Sequence, residues 1–331
     1  MESCVESWLG VLDKYYLSDF ISSGGAAFKL LLTRTDEETA FSLRGIRELT
    51  ARLGYLYAEV SAAETRVDKI DQIFFAIARQ MDWDALMAED GMEFLRSRDY
   101  RLPEGAILSD TEAIAHFNGC TQEDLSADLR RATTQEIFQD RDMCKEFRTA
   151  IAQVRVAQFF PGNITPSDAE TICGWLRGDK VGLSALRGLR IYSKIGRHNA
   201  RHMLRALAHW LAKSSGTGLV VGLDLSALLP IRPRGAGAEL TTLYYSRSAF
   251  LDVCEVLREF IDDTDEITHC LICAVAPSEM ETGEQRSIER YAALKNRLIN
   301  EVHDRERPNL LAAMVRTGEW APRERVTEDD K

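Results

Sequence analysis

The sequence predicts an α/β fold: a parallel sheet flanked by helices and interrupted by a large helical insertion. Helical and strand-like patterns alternate over the first 81 residues, the pattern of α/β units around a parallel sheet. Residues 82–212 then carry helical patterns separated by polar turns, with no convincing strand. Strand-like apolar runs return at Leu219–Asp224, Ile267–Ala276 and Leu310–Val315. The expected organisation is a core in two parts, 1–81 and 213–318, a helical insertion at 82–212 and a polar tail at 319–331.

Each element has its reason. Trp8, Val11, Leu12, Tyr15, Tyr16 and Phe20 recur at helical spacing, which predicts a helix over 3–21. Ser22–Gly25 breaks it, and the apolar run 26–33 reads as a short buried strand. Asp36, Glu37 and Glu38 suit the first turn of a helix over 36–53, where the helix dipole favours acids, and Gly54 is its stop. A strand at Tyr55–Val60 and an apolar helix from Ile70 to Met81 follow. In the insertion Pro161–Asn163 is a loop, and Ser167 with Glu170 is the expected cap of the next helix. Later come a mobile loop at Arg232–Ala238, an amphipathic helix at Phe250–Ile261, a strand halted by Pro277 and a helix at Tyr291–Val302.

Composition bounds the function. With 331 residues, 45% of them hydrophobic, the chain is not a disordered one. Its 21 glycines and 8 prolines exclude a collagen-like chain. Lys and Arg total 41 against 52 Asp and Glu, and the resulting charge of −11 argues against a protein that coats nucleic acid or an anionic membrane with its whole surface. No apolar run approaches the ~20 residues that span a bilayer, and the acidic start Met1–Glu6 has no signal-peptide character. A cytoplasmic protein is expected. The seven cysteines are scattered, which fits reduced core thiols, and the Cys270/Cys273 pair sits in a strand pattern that points the two side chains to opposite faces.

Leu219–Asp224, an apolar strand ending in an acid, has the form of a Walker B strand, whose Asp holds magnesium in a P-loop NTPase. The following residue is Leu225, which cannot accept a proton from an attacking water. A phosphate-binding loop needs glycines whose amides approach phosphate, then Lys and Ser or Thr. No such run occurs. Its natural place, the turn after the first strand, reads TRTDEETA over Thr33–Ala40, with three acids where phosphates would sit.

FISSGGAAFKLLL over 20–32, DQIFFAIAR over 71–79, FPGNIT over 160–165, GLVVGLD over 218–224 and YSRSAFLD over 245–252 carry a family resemblance. With them the chain, from about residue 8 to 316, resembles the P-loop ATP-binding proteins encoded in BREX-type phage-defence clusters. The resemblance implies an AAA+/STAND-like P-loop core with a helical insertion, and a role beside helicases, methyltransferases or other ATPases in anti-phage defence. Active members carry Gly-Lys-Ser/Thr where this chain has Asp36–Ala40, and Asp-Glu where it has Asp224 and Leu225. Both departures point to a non-hydrolysing pseudo-ATPase, a structural or regulatory subunit paired with an active ATPase or helicase. No cofactor is then expected, and Asp224 is a remnant of a nucleotide site. An ATPase that holds ATP and magnesium through Ser22–Ala26 is the first alternative.

Arg187, Arg190, Lys194, Arg197, Arg201 and Arg205 form a basic run with no acid between 187 and 205. From Arg190 onward the spacings of four, three, four and four place five of them on one face if the segment is helical. Such a stripe suits nucleic-acid phosphates, an acidic partner or a solvated helix face, and a nucleic-acid adaptor is the second alternative. His198 and His202 have the spacing of a helical metal pair but no nearby acid. No local pattern indicates a nucleophilic triad.

Overall fold

The computed structural model describes residues 3–229, 243–283, 286–299 and 309–319. The loop expected at 232–238, the tail beyond 319 and residues 300–302 of the helix expected over 291–302 lie outside these residues.

In chain order, α1 is Cys4–Val11 and runs on as a π-helical segment, Leu12–Ile21; β1 is Ala26–Thr33, α2 Asp36–Leu53 and β2 Leu56–Ser61. Eight helices follow: α3 Ile70–Ala78, α4 Trp83–Ser97, α5 Thr111–Phe117, α6 Gln122–Ala132, α7 Lys145–Phe159, α8 Pro166–Arg177, α9 Leu183–Gly188 and α10 Ala200–Ser215. A second π-helical segment, Thr133–Phe138, continues α6. Then come β3 Leu219–Asp224, α11 Arg247–Asp262, β4 Cys270–Pro277, α12 Glu279–Thr282, α13 Ala292–Leu298 and β5 Met314–Arg316.

Local chemistry sets the ends. Ser3 and Glu6 form a capping box on α1. Thr35 caps α2 and Gly54 ends it in the left-handed region, at φ +77°. The cap of α8 is Thr165 with Asp168, not Ser167 with Glu170, because Pro166 takes the first helical position and Thr165 alone is extended there. The π-helical winding after Leu12 buries Leu12, Leu17 and Ile21 and leaves Tyr15 and Phe20 about half exposed, so the helical spacing of the aromatics does not describe one buried face.

The five strands form one parallel sheet in the order β2-β3-β4-β1-β5. β1 pairs with β4 along its whole length, from Ala26 with Cys270 to Thr33 with Pro277. β4 starts three residues later than the apolar run suggests, because His269 turns through φ +52° first. β5 is only three residues long, because the carbonyls of Leu311 and Ala312 turn instead to the Lys29 ammonium. α1, the π-helical segment and α2 share one apolar cluster with Leu31, Val220, Leu271, Cys273, Val275 and Val315. α11 lies against β1 but outside that cluster, on the other face of the sheet. Cys273 belongs to the cluster and Cys270 does not, and burial pushes both thiols up to about 12.

Contacts divide the chain into two compact units, one holding Met1–Lys69 and Leu219–Lys331, the other Ile70–Gly218. The helical unit so defined begins at α3, which packs against α8 and α10, and ends at 218. The helical unit is built round Trp210, which stacks on Trp83 with centroids 6.3 Å apart and meets the edge of Phe147. Beside it lies a buried ion pair. Arg155 donates to both oxygens of Asp90, at 2.7 and 2.8 Å, and to Glu136 at 2.9 Å, while the Trp210 indole donates to Asp90 at 3.0 Å. Among the described residues no helix is long and apolar enough to cross a membrane.

Candidate functional site

In an open parallel sheet, ligands bind outside the carboxyl ends of the strands, where neighbouring strands send their connections to opposite sides. Here that point lies between β1 and β4. From β1 the chain crosses through α2 over β4 and β3 to reach β2; from β4 it goes the other way, past β1, to β5. The residues just beyond these ends are Thr33–Thr39, Asp224–Ser226, Ser278–Glu281 and Arg316–Thr317.

Glu38 dominates this edge. Its carboxylate accepts the Arg34 backbone N–H at 2.9 Å, the Arg34 guanidinium at 2.6 and 3.1 Å and the Thr317 hydroxyl at 2.6 Å. Its own N–H donates to the Thr35 hydroxyl at 3.2 Å. Burial pushes the Glu38 carboxyl up, but the bonds from Arg34 and Thr317 outweigh it and hold the group below the usual carboxylate range. An anion of the chain itself thus sits at the first turn of α2. Thr33 and Thr39 are buried beside it, their hydroxyls 2.6 Å apart, with Thr33 donating to the Ala276 carbonyl. Arg316 closes the far side by gripping Glu281 through two nitrogens.

Asp224 stands at the end of β3, as expected of a Walker-B-like acid, but its oxygens are engaged. Oδ1 accepts the N–H and hydroxyl of Ser226, at 3.0 and 2.6 Å, and Oδ2 accepts the Ser61 hydroxyl at 3.2 Å. Leu225 is fully buried, and its N–H donates to Val275. No group of three potential metal ligands forms at this edge among the described residues. Such a group occurs in the helical unit, where Asp140, Asp142 and His209 converge. There Asp140 already accepts from His209 at 3.0 Å and Lys213 at 2.6 Å.

Ser22–Gly25 leads into the amino end of β1, the edge of the sheet opposite the strand ends where Glu38 and Asp224 lie. Gly24 takes a positive φ of +101°, and a Cβ on Gly25 would lie 2.6 Å from the Phe20 ring. The basic run does not form one helical face. α9 stops at Gly188, Arg190 turns into the left-handed region at φ +61°, and residues 189–199 form a loop. Arg190, Lys194 and Arg197 are exposed on that loop, while Arg201 and Arg205 are half-buried on α10. His198 and His202 are exposed and join no three-ligand group among the described residues.

No family model, curated protein or solved structure matches the chain. The site is therefore read from its own geometry. Pattern reasoning missed Glu38 as a ligand of its own helix terminus, although the Thr35-x-x-Glu38 spacing of a capping box was its signal. It also missed Lys29, which is 2% exposed in mid-strand, 4.4 Å above the Tyr16 ring and 2.6 Å from two carbonyls. Burial pushes its ammonium down to about 8.

Proposed function

We propose that this chain is a non-hydrolysing subunit with a P-loop-like core, which works by holding an active ATPase or helicase partner rather than by turning over nucleotide. The observation that carries the reading is Glu38. A helix N-terminus that follows a sheet strand favours phosphate, through its backbone N–H groups and its dipole. Here a carboxylate of the same chain takes the Arg34 N–H and the neighbouring guanidinium. A triphosphate arriving there meets a fixed negative charge that already holds the Arg34 donors. Asp224 supports the same reading, since three hydrogen bonds within the chain occupy the carboxylate and Leu225 follows it. A single strand, β4, separates the acid-ended β3 from β1, so both halves of a nucleotide site would flank it. The resemblance of 20–32, 71–79, 160–165, 218–224 and 245–252 supplies the setting, a cytoplasmic anti-phage defence complex of the BREX type.

Calorimetric titration of the chain with ATP and magnesium tests the reading, with a thermal shift alongside. The expected result is neither heat nor shift, together with co-purification of the chain with an ATPase or helicase of the same gene cluster. Micromolar ATP binding, or ATP hydrolysis that Asp224→Ala abolishes, would overturn it and restore the enzyme alternative.

A further inference from the structure

Residues 180–213 contain eight Lys and Arg and no Asp or Glu, in a chain whose net charge is −11. Within them the loop 189–199 is built to present side chains outward. Ile191 and Ile195 are 1% and 7% exposed and anchor it, while Arg190, Tyr192, Lys194 and Arg197 face solvent. Tyr192 is 65% exposed, the most of any large apolar or aromatic side chain among the described residues. The backbone is pinned at several points. The Trp175 indole donates to the Ser193 carbonyl at 3.1 Å, and Asn199 accepts the Gly196 N–H at 2.8 Å and donates to the Lys194 carbonyl at 3.2 Å. The Arg190 N–H donates to the Arg187 carbonyl at 3.0 Å, which holds the left-handed turn.

The charges are unanswered. No carboxylate among the described residues pairs with Arg187, Arg190, Lys194 or Arg197, whereas Arg177 of the preceding helix pairs with both Glu170 and Asp179. Glu146 of α7 touches the loop, and it does so through the Ser193 hydroxyl. An ordered loop with unpaired cations on either side of a projecting aromatic ring combines two features. The cations suit a phosphate backbone, and the ring offers a face on which an unstacked base lies. An acidic peptide would use the cations and leave the ring idle. A duplex keeps its bases stacked inward, out of reach of a single tyrosine.

We propose that the 189–199 loop of the helical unit is a binding platform for single-stranded nucleic acid, with Tyr192 stacking on a base and Arg190, Lys194 and Arg197 contacting the flanking phosphates. The platform stands independently of the nucleotide reading of the sheet edge.

Fluorescence anisotropy of a labelled oligothymidylate with the full chain, across a salt series, tests it. Binding should be tighter than to a duplex and should weaken as salt rises. Tyr192→Ala should weaken it roughly 5- to 150-fold, the worth of one stacked base. The triple variant Arg190→Gln, Lys194→Gln, Arg197→Gln should lower the slope of log affinity against log salt by about 2, at ~0.7 per phosphate. All four side chains are exposed, and circular dichroism checks that the variants keep the fold. Failure to bind the oligonucleotide, or binding indifferent to both variants, would overturn the proposal. So would polyglutamate binding as tightly and surviving Tyr192→Ala, which would make the loop a dock for an acidic protein.

Discussion

The carboxyl edge of the sheet and the 189–199 loop handle charge in opposite ways. At the edge, Glu38, Asp224 and Glu281 are each answered by donors of the same chain. On the loop, Arg190, Lys194 and Arg197 face water with no carboxylate partner among the described residues. A charge answered inside the chain contributes to the fold, and a ligand must break those bonds before it can bind. An exposed, unpaired cation contributes almost nothing to the fold and loses little when a ligand arrives. The contrast predicts that substitutions at the edge change stability and substitutions on the loop change binding.

The largest effect belongs where internal pairing is most complete. Arg155 and Asp90 are 5% and 2% exposed. Arg155→Ala leaves the Asp90 carboxylate buried with only the Trp210 indole, which should cost about 3–5 kcal/mol in urea denaturation. Arg190→Ala in the same helical unit should stay within about 0.5 kcal/mol. Similar losses in the two variants would erase the contrast.

Glu38→Gln comes next. It replaces a carboxylate held by the Arg34 side chain and backbone and by Thr317, and should cost about 1–3 kcal/mol. The sign with pH follows from the lowered carboxyl: the stabilisation is present above the unfolded value of 4.5 and is lost as pH falls through the lower folded value. The gap between wild type and Glu38→Gln should therefore hold at neutral pH and close below pH 4.5. A gap that persists unchanged in acid would mean that shape, not charge, fills this turn.

Much of the sheet was legible because its signals are local. β1, α2 and β3 follow from apolar runs, an acidic first turn and a terminal glycine, all within a few residues of each other. What depends on distant partners was not. Nothing within the segment says that α3 packs on α8 and α10 rather than on the sheet, since its apolar stripe would fit either. The bond between Thr317 and Glu38 joins residues 279 apart. The basic run satisfied helical spacing from Arg190 to Arg205, yet the chain leaves the helix at Gly188 because Ile191 and Ile195 are buried as anchors of a loop. Charge spacing records what an exposed face would look like, whereas burial of the neighbouring apolar residues decides whether the face exists.

The smallest effect separates the two descriptions of Asp224. If the acid serves the fold, Asp224→Asn should be nearly neutral, within about 1 kcal/mol. The amide oxygen still accepts from Ser226, and the amide nitrogen can donate to the Ser61 hydroxyl, which accepts as readily as it donates. Asp224→Ala removes all three bonds and should cost more, about 1–3 kcal/mol. An acid kept for a ligand behaves differently, because a functional charge is retained at the expense of stability and its removal commonly stabilises. Thermal unfolding of wild type, Asp224→Asn and Asp224→Ala therefore ranks the two descriptions without any nucleotide present. Destabilisation in the order Asn then Ala keeps Asp224 among the internally answered groups of the sheet edge. A variant more stable than wild type would mark the carboxylate as strained in place, and the edge would then resemble the loop, holding a charge for something outside the chain.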